Sequence, residues 1–236
     1  MKTIHHGGDN RGHVSLGWLD SHHSFSFGHY YDPEKVQFGA LRVLNDDIIT
    51  GGSGFGAHPH DNMEIVSIPL SGAIEHKDST GTEAVINEND VQIMSAGTGI
   101  RHSEYNHFKD KMANFLQIWV LPKKKNIKPR YDQKTFNPSD RINKIQTVVA
   151  PDDVNAVWIN QDAWFSLGEL KSGYSTNYII KKEGNGVYAF VINGSVTING
   201  EVLFKRDALG IWDVENLDIA AGTDAEVLLI DVPMGE

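Results

Sequence analysis

Short runs of β-branched and aromatic residues recur along this chain, alternate with polar positions, and are cut by glycine, asparagine and aspartate. The pattern predicts strands at 38–45, 63–70, 74–76, 84–86, 91–94 and 115–121 in the first half. Asn45-Asp-Asp, Ser71-Gly72, Ser79-Thr-Gly81 and Asn87-Glu-Asn-Asp90 separate them. A second set is predicted at 187–192, 195–198, 201–204, 209–212 and 225–231, turning at Asn193-Gly194 and Asn199-Gly200. Asn-Gly between apolar runs is a strong hairpin signal, because both turn positions want positive φ. Helix is minor, a turn near 138–142.

The two sets read as one pattern written twice. Pro69-Leu-Ser-Gly72-Ala-Ile-Glu matches Val191-Ile-Asn-Gly194-Ser-Val-Thr, and Asn89-Asp90-Val-Gln-Ile-Met matches Arg206-Asp207-Ala-Leu-Gly-Ile. Phe115-Leu-Gln-Ile-Trp-Val-Leu-Pro122 matches Val227-Leu-Leu-Ile-Asp-Val-Pro233. The expectation is an all-β protein of two tandem barrels or sandwiches. A first unit spans 1–122 and a second 141–236. The polar, lysine-rich stretch 123–140, with Pro129 and Pro138 inside it and Pro122 just before it, reads as a linker.

Composition narrows the chemistry. The 236 residues carry a formal charge of -10, which on average repels a phosphate backbone, so no direct nucleic-acid contact is expected. The one dense basic run, Lys123-Lys124-Lys125, reads as part of the solvated linker. With no cysteine, disulfides, thiolate metal sites and thiol nucleophiles are excluded. The N-terminus has no apolar core of a signal peptide, and no apolar run is long enough for a bilayer, so a cytoplasmic protein is expected. Gly51–Gly56 lacks the Lys-Ser/Thr ending of a phosphate loop, and no Gly-x-Ser-x-Gly elbow exists.

All 11 histidines lie in the first 107 residues. Three fall in two phrases, Gly56-Ala-His58-Pro-His60 and Gly97-Thr-Gly-Ile-Arg-His102-Ser-Glu104. Side chains at i and i+2 on a strand share a face, so each phrase presents a pair of metal donors. Together His58, His60, His102 and a carboxylate make a three-histidine site with open positions for exchangeable ligands. Glu104 and Glu64 are both in phase to be the fourth ligand; Glu104 is favoured, also as the catalytic base. Iron(II) suits the set, and nickel, copper, cobalt, manganese and zinc bind such donors as well. Counting along the repeat puts Ile180, Lys182 and Ala220 near the places of these histidines in the second unit. A scaffold needing them for packing would keep them in both. Singly, a histidine is more often a surface or hydrogen-bonded residue. His22 and His23 read as capping a loop over the barrel mouth or contacting substrate, and His76 and His107 as strand-edge and loop residues. Phe25, Phe27, Phe55 and Phe115 line an apolar pocket or fill the core.

Gly52-x5-His58-x-His60-x3-Glu64 followed by Gly97-x4-His102-x3-Asn106 resembles the two cupin motifs. Gly17-Trp-Leu-Asp-Ser-His-His-Ser-Phe-Ser-Phe, Leu41-Arg-Val-Leu-Asn-Asp-Asp and Met94-Ser-Ala-Gly-Thr-Gly-Ile-Arg-His-Ser-Glu104 are similar to the pirin family, and most to its bacterial quercetin 2,3-dioxygenase branch. The likeness covers nearly the whole chain. Gly72 falls one residue later than in the general cupin pattern, and Asp90 replaces a turn glycine. The resemblance implies a bicupin with one divalent metal in the N-terminal barrel, held by His58, His60, His102 and Glu104 but not Glu64, and a C-terminal cupin without metal ligands. It implies a dioxygenase that cleaves quercetin-like flavonols with dioxygen, releasing carbon monoxide and leaving a depside. The alternative it carries is that of the nuclear pirins of animals: a metal- and redox-sensing regulator that binds a protein partner.

Overall fold

A computed structural model describes residues 1–235. Each half is a two-sheet β-sandwich. In the first, a seven-stranded sheet runs in the order Arg130–Thr135, Asp90–Ser95, Glu64–Ser71, Ala113–Val120, Leu41–Ile49, Leu19–His23, Gly12–Ser15. Against it lies a four-stranded sheet, Gly54–His60, Ile100–Asn106, Ala73–Asp78, Glu83–Asn87. In the second, the seven strands are Lys2–His6, Ala208–Trp212, Asn185–Asn193, Ala225–Pro233, Trp164–Leu170, Ile145–Ala150 and Val157–Trp158, and the four are Ser175–Ile179, Asn216–Ala221, Ser195–Ile198 and Glu201–Phe204. Among the described residues, pairing between these strands is antiparallel except between Ile145–Ala150 and Val157–Trp158; an isolated parallel bridge also joins Ile142 to Glu169. Among the described residues the only helical segments are short 3-10 turns at Gly8–Asn10 and Pro138–Arg141. No helix among the described residues is long and apolar enough to cross a membrane.

Turn chemistry explains the repeat. Asn199 and Gly200 both have positive φ, 48° and 89°, the pair a tight hairpin requires. At the matched positions Gly72 and Gly194, φ is 77° in both halves. A Cβ at Gly72 would crowd Ala113, and one at Gly194 would run into the Asp224 carbonyl.

The two large sheets pack on each other. Leu44, Val66, Ile68, Leu116 and Ile118 of the first share one buried cluster with Phe165, Leu167, Phe190, Leu228 and Ile230 of the second. Alternation turns the intervening residues, such as Ser67 and Gln117, into the first barrel.

The layout differs from the expected one at two places. Lys2–His6, assigned to the first unit, pairs with Ala208–Trp212 in the second sheet, with Thr3 opposite Ile211. Arg130–Thr135, assigned to the linker, pairs with Asp90–Ser95 in the first sheet, with Tyr131 opposite Met94. The two segments thus occupy equivalent edges, each on the other half's side of the chain. Both are polar because an edge strand needs little apolar surface and is guarded by charge; such a strand looks like linker in sequence.

Candidate metal centre

The small sheet of the first half brings the expected donors together. Gly54–His60 and Ile100–Asn106 are neighbours, with His58 opposite His102 and His60 opposite Ile100. On the other side of Ile100–Asn106, Ala73–Asp78 sets His76 opposite Glu104 and Asp78 opposite His102. Pairing with Gly54–His60 slips by one residue between His102 and Glu104. Gly54, opposite Tyr105 just beyond that slip, is where a Cβ would strike the Glu104 backbone carbonyl.

Donor atoms of His58, His60 and His102 lie within 4.8 Å of one another. Ring centroids are 4.8 Å apart for His58–His60, 4.5 Å for His58–His102 and 4.9 Å for His60–His102. Glu104 belongs to a second, wholly buried group with His76 and His102, again within 4.8 Å. The four expected residues, with His76 added, therefore form two overlapping triads that share His102.

Glu104 points across the barrel to the large sheet. Its Oε2 accepts from Gln117 Nε2 at 2.7 Å, and its Oε1 lies 3.2 Å from Ser67 Oγ. Ser67 and Gln117 are register partners on adjacent strands. Burial pushes the Glu104 carboxyl above its ordinary value, against the pull of His76, His58 and His60 and the hydrogen bond from Ser67.

The donor set suits a divalent transition metal. Burial, then the neighbouring imidazoles His58 and His76, lowers His102 to about 3. Burial, then His102 and His58, lowers His60 to about 4. Neutral imidazoles keep the lone pairs that a metal binds. His102 Nε2 is buried with no hydrogen-bond partner, at a cost of about 1–3 kcal/mol for a neutral polar atom left so. His58 Nδ1 lies 2.8 Å from the Gly56 carbonyl, to which it can only donate, so its Nε2 is free to ligate.

Other candidates are placed elsewhere. Glu64 turns toward the second half: its Oε2 accepts from Ser95 Oγ at 2.8 Å and from the Asn160 amide at 3.1 Å, and burial pushes its carboxyl up to about 7. His13 and His22 stack at 4.4 Å and 17° and share the Asp20 carboxylate. Rings so nearly parallel cannot both aim an in-plane lone pair at one ion. His23 is buried on the same edge hairpin, 2.8 Å from Ser21 Oγ. Phe25 belongs to the core between the halves, and Phe115 to a cluster that Phe55 packs against. Phe27 approaches the centre through Trp119, edge-to-face at 5.3 Å, while Trp119 stands 4.9 Å from His60. Sequence reasoning missed His76, fully buried rather than at an exposed strand edge, and missed Ser67, Gln117 and Trp119. The available signal was a polar residue inside an otherwise apolar strand, as in Ile65-Val-Ser67-Ile and Leu116-Gln117-Ile.

The second half supplies a register-based check. Aligning Gly72 with Gly194 sets Ile74 on Val196 and His76 on Ile198. Ile74 faces Asn106, and Val196 faces Ala221, so Glu104 falls on Ile219 and His102 on Leu217. Tyr178 faces Leu217, as His58 faces His102. The counterparts of His58, His60 and His102 are thus Tyr178, Ile180 and Leu217, not Ile180, Lys182 and Ala220. Counting between phrases overlooked unequal loops; cross-strand pairing does not.

Residues 7–120 match the family model described as Pirin, and residues 147–232 the one described as Quercetinase C-terminal cupin domain. A protein named quercetin 2,3-dioxygenase from Escherichia coli K12 is 44% identical over 227 residues, 95% of this chain and 96% of its own. This protein belongs to the pirin family. A pirin-like protein of Caulobacter vibrioides is 41% identical over 94% of this chain and 96% of its own. The crystal structure of the bacterial pirin YhhW of Escherichia coli in complex with nickel(II) superposes with a TM-score of 0.94 at 41% identity, covering 99% of this chain and 100% of that one. The two sandwiches of this pirin are therefore the two cupin domains of an all-β fold, and the His/Glu cluster lies in the N-terminal one.

Proposed function

We propose that this pirin is a metal-dependent dioxygenase that cleaves quercetin-like flavonols with dioxygen and releases carbon monoxide. The observation that carries the reading is the buried, unpartnered His102 Nε2, grouped with His58 and His60 and with Glu104 beside it. His58, His60, His102 and Glu104 would hold one divalent ion, which supplies a Lewis-acidic centre with exchangeable positions. The names of the curated relatives supply the substrate class.

The chain's own residues account for the proton. Glu104 takes the flavonol hydroxyl proton at Oε1, because Oε2 is held by Gln117. Ser67 makes this reversible. Its single hydroxyl proton has two acceptors in reach, Glu104 Oε1 at 3.2 Å and Gln117 Oε1 at 3.1 Å. When Glu104 is ionised, Ser67 donates to it; when Glu104 Oε1 carries the proton, Ser67 accepts and turns its own proton to Gln117. Both charge states of the base are thus hydrogen-bonded without rearrangement. Phe27 and Trp119, stacked edge-to-face beside His60, form an aromatic wall suited to a planar ligand, and the buried Trp119 Nε1 is a donor without a partner.

The test is carbon monoxide release from quercetin and dioxygen by protein reconstituted anaerobically with iron(II), beside Glu104→Gln. Stoichiometric carbon monoxide from the wild type, lost in the variant with its metal retained, is the expected result. No carbon monoxide from protein holding one metal per chain would overturn the reading in favour of a metal-responsive partner-binding pirin.

A further inference from the structure

His76 is a fully buried histidine that the proposed reaction does not use. Its Nε2 lies 3.0 Å from Asp78 Oδ2, and its Nδ1 3.5 Å from His102 Nδ1. Asp78 is anchored through its other oxygen, Oδ1, which accepts from the Thr80 amide at 2.8 Å, the Thr80 hydroxyl at 2.6 Å and the Thr82 amide at 3.3 Å. Burial works against the Asp78 charge, but the hydrogen bonds from Thr80, His76 and Thr82 outweigh it and hold the carboxyl below its ordinary value. An ionised carboxylate only accepts, so His76 Nε2 carries a proton toward it. With its proton on Nε2, His76 presents a bare Nδ1 to His102. Two facing ring nitrogens need one proton between them, and it sits on His102 Nδ1. The lone pair of His102 is left on Nε2, the buried atom that has no hydrogen-bond partner, on a ring grouped with His58 and His60.

We infer that His76, oriented by Asp78, is a positioning residue that fixes the tautomer of His102 and so decides which of its nitrogens can bind a metal. The second cupin shows the arrangement is not needed for packing: the counterparts of His76 and Asp78 by the same alignment are Ile198 and Gly200. The inference deepens the proposed function, since it rests on the cluster holding a metal. The chemistry is common among metal-binding histidines, whose second nitrogen donates to a fixed acceptor. Here the acceptor is another histidine, itself polarised by a carboxylate.

Asp78→Asn inverts the relay. The asparagine keeps a carbonyl toward Thr80 and Thr82 and turns its amide donor toward His76. His76 Nε2 must then accept, its Nδ1 donates, and His102 is forced to carry its proton on Nε2. Two readouts follow on the full-length, metal-free chain: the 15N shifts of His102, which report the tautomer, and nickel(II) affinity by competition with a chromophoric chelator. Wild type is expected to show Nδ1–H at His102. Asp78→Asn is expected to show Nε2–H and to bind nickel(II) roughly 10–100-fold more weakly. His76→Leu, which imitates the apolar counterpart in the second cupin, should weaken binding to a similar degree. His76→Gln, whose amide can accept from His102 and donate to Asp78, should stay within about threefold of wild type, following the same hydrogen-bonding logic.

A wild-type His102 protonated on Nε2 overturns the inference. So does nickel(II) affinity unchanged in Asp78→Asn and His76→Leu. If Asp78→Asn does not fold, the His76→Leu and His76→Gln pair decides alone: equal affinities overturn the inference, and a gap of tenfold or more supports it. Wild type that binds no nickel(II) at all defeats the proposed function instead, while the 15N spectrum still reads the tautomer.

Discussion

The two cupins differ most inside their barrels. In the second, Tyr178, Leu217, Ile219 and Ile198 lie in one apolar cluster with Leu209, Leu229 and Ala189. In the first, the register equivalents are His58, His102, Glu104 and His76, and Leu209, Leu229 and Ala189 become Gln92, Gln117 and Ser67. One scaffold therefore carries either a dry filling or a polar one. The dry filling is the one that stabilises, at roughly 1.5–3 kcal/mol for each large apolar side chain taken from water. The polar one must be fully hydrogen-bonded or bound to an ion to break even. His102 Nε2 and Trp119 Nε1, both unpartnered, mark where the first barrel is unfinished by protein alone.

The sharpest way to break the comparison is to move single residues across it. His102→Leu, importing Leu217, is expected to abolish metal uptake and carbon monoxide release together while the chain stays folded; metal content by mass spectrometry beside a thermal melt checks this. Stoichiometric metal in that variant would sink the three-histidine reading. The reverse exchange, Ile219→Glu, buries a carboxylate among apolar side chains with no partner. It should destabilise by about 3–5 kcal/mol in urea unfolding, as an uncompensated buried charge does.

Titration should expose the same contrast in metal-free protein. The folded value of His102 is about 3, below the unfolded 6.5. The unfolded chain therefore binds more protons between these values, and stability falls as pH drops through that window, by up to about 1.4 kcal/mol per unit. Glu64 has the opposite sign: its folded value of about 7 exceeds the ordinary 4.5, so stability falls as pH rises from 4.5 through 7. His102→Leu should flatten the acid limb of a stability–pH curve and Glu64→Gln the alkaline limb. An unchanged limb in either variant refutes its assignment. The smallest effects should come where the halves agree. Gly72→Ala and Gly194→Ala each force a non-glycine residue to positive φ and should each cost about 1–2 kcal/mol. The Gly194 variant should cost more, because its Cβ meets a backbone carbonyl. A marked cost in one half and none in the other would argue against a shared scaffold.

What could be seen in the sequence follows from how locally it is encoded. His58, His60, His102 and Glu104 stand two apart within single strands, so their shared faces were legible without a fold. So was the doubled pattern, because Gly72 and Gly194 must be glycine for a local conformational reason. His76 was invisible because its relation to Glu104 and His102 exists only through strand pairing. Ser67 and Gln117 resembled noise in apolar runs until the opposite sheet gave them a carboxylate to hold. The edge strands escaped notice because Lys2–His6 exposes four of its five residues and Arg130–Thr135 buries none fully. Strands without an apolar face leave no period to detect.

The exchanged edges also set the order in which the protein can be completed during synthesis. Lys2–His6 leaves the ribosome long before its partner Ala208–Trp212 is made. At translation rates of about 5–20 residues per second, the strand waits roughly 10–40 s without its mate. Arg130–Thr135 has the reverse timing, since its partner Asp90–Ser95 already exists when it emerges. The first cupin can therefore close its own sheet while the chain is still growing, whereas the apolar cupin is sealed later, by Lys2–His6 returning to it. Deleting residues 2–6 should leave the first cupin's pairing intact and strip the finished second sheet of its outer strand.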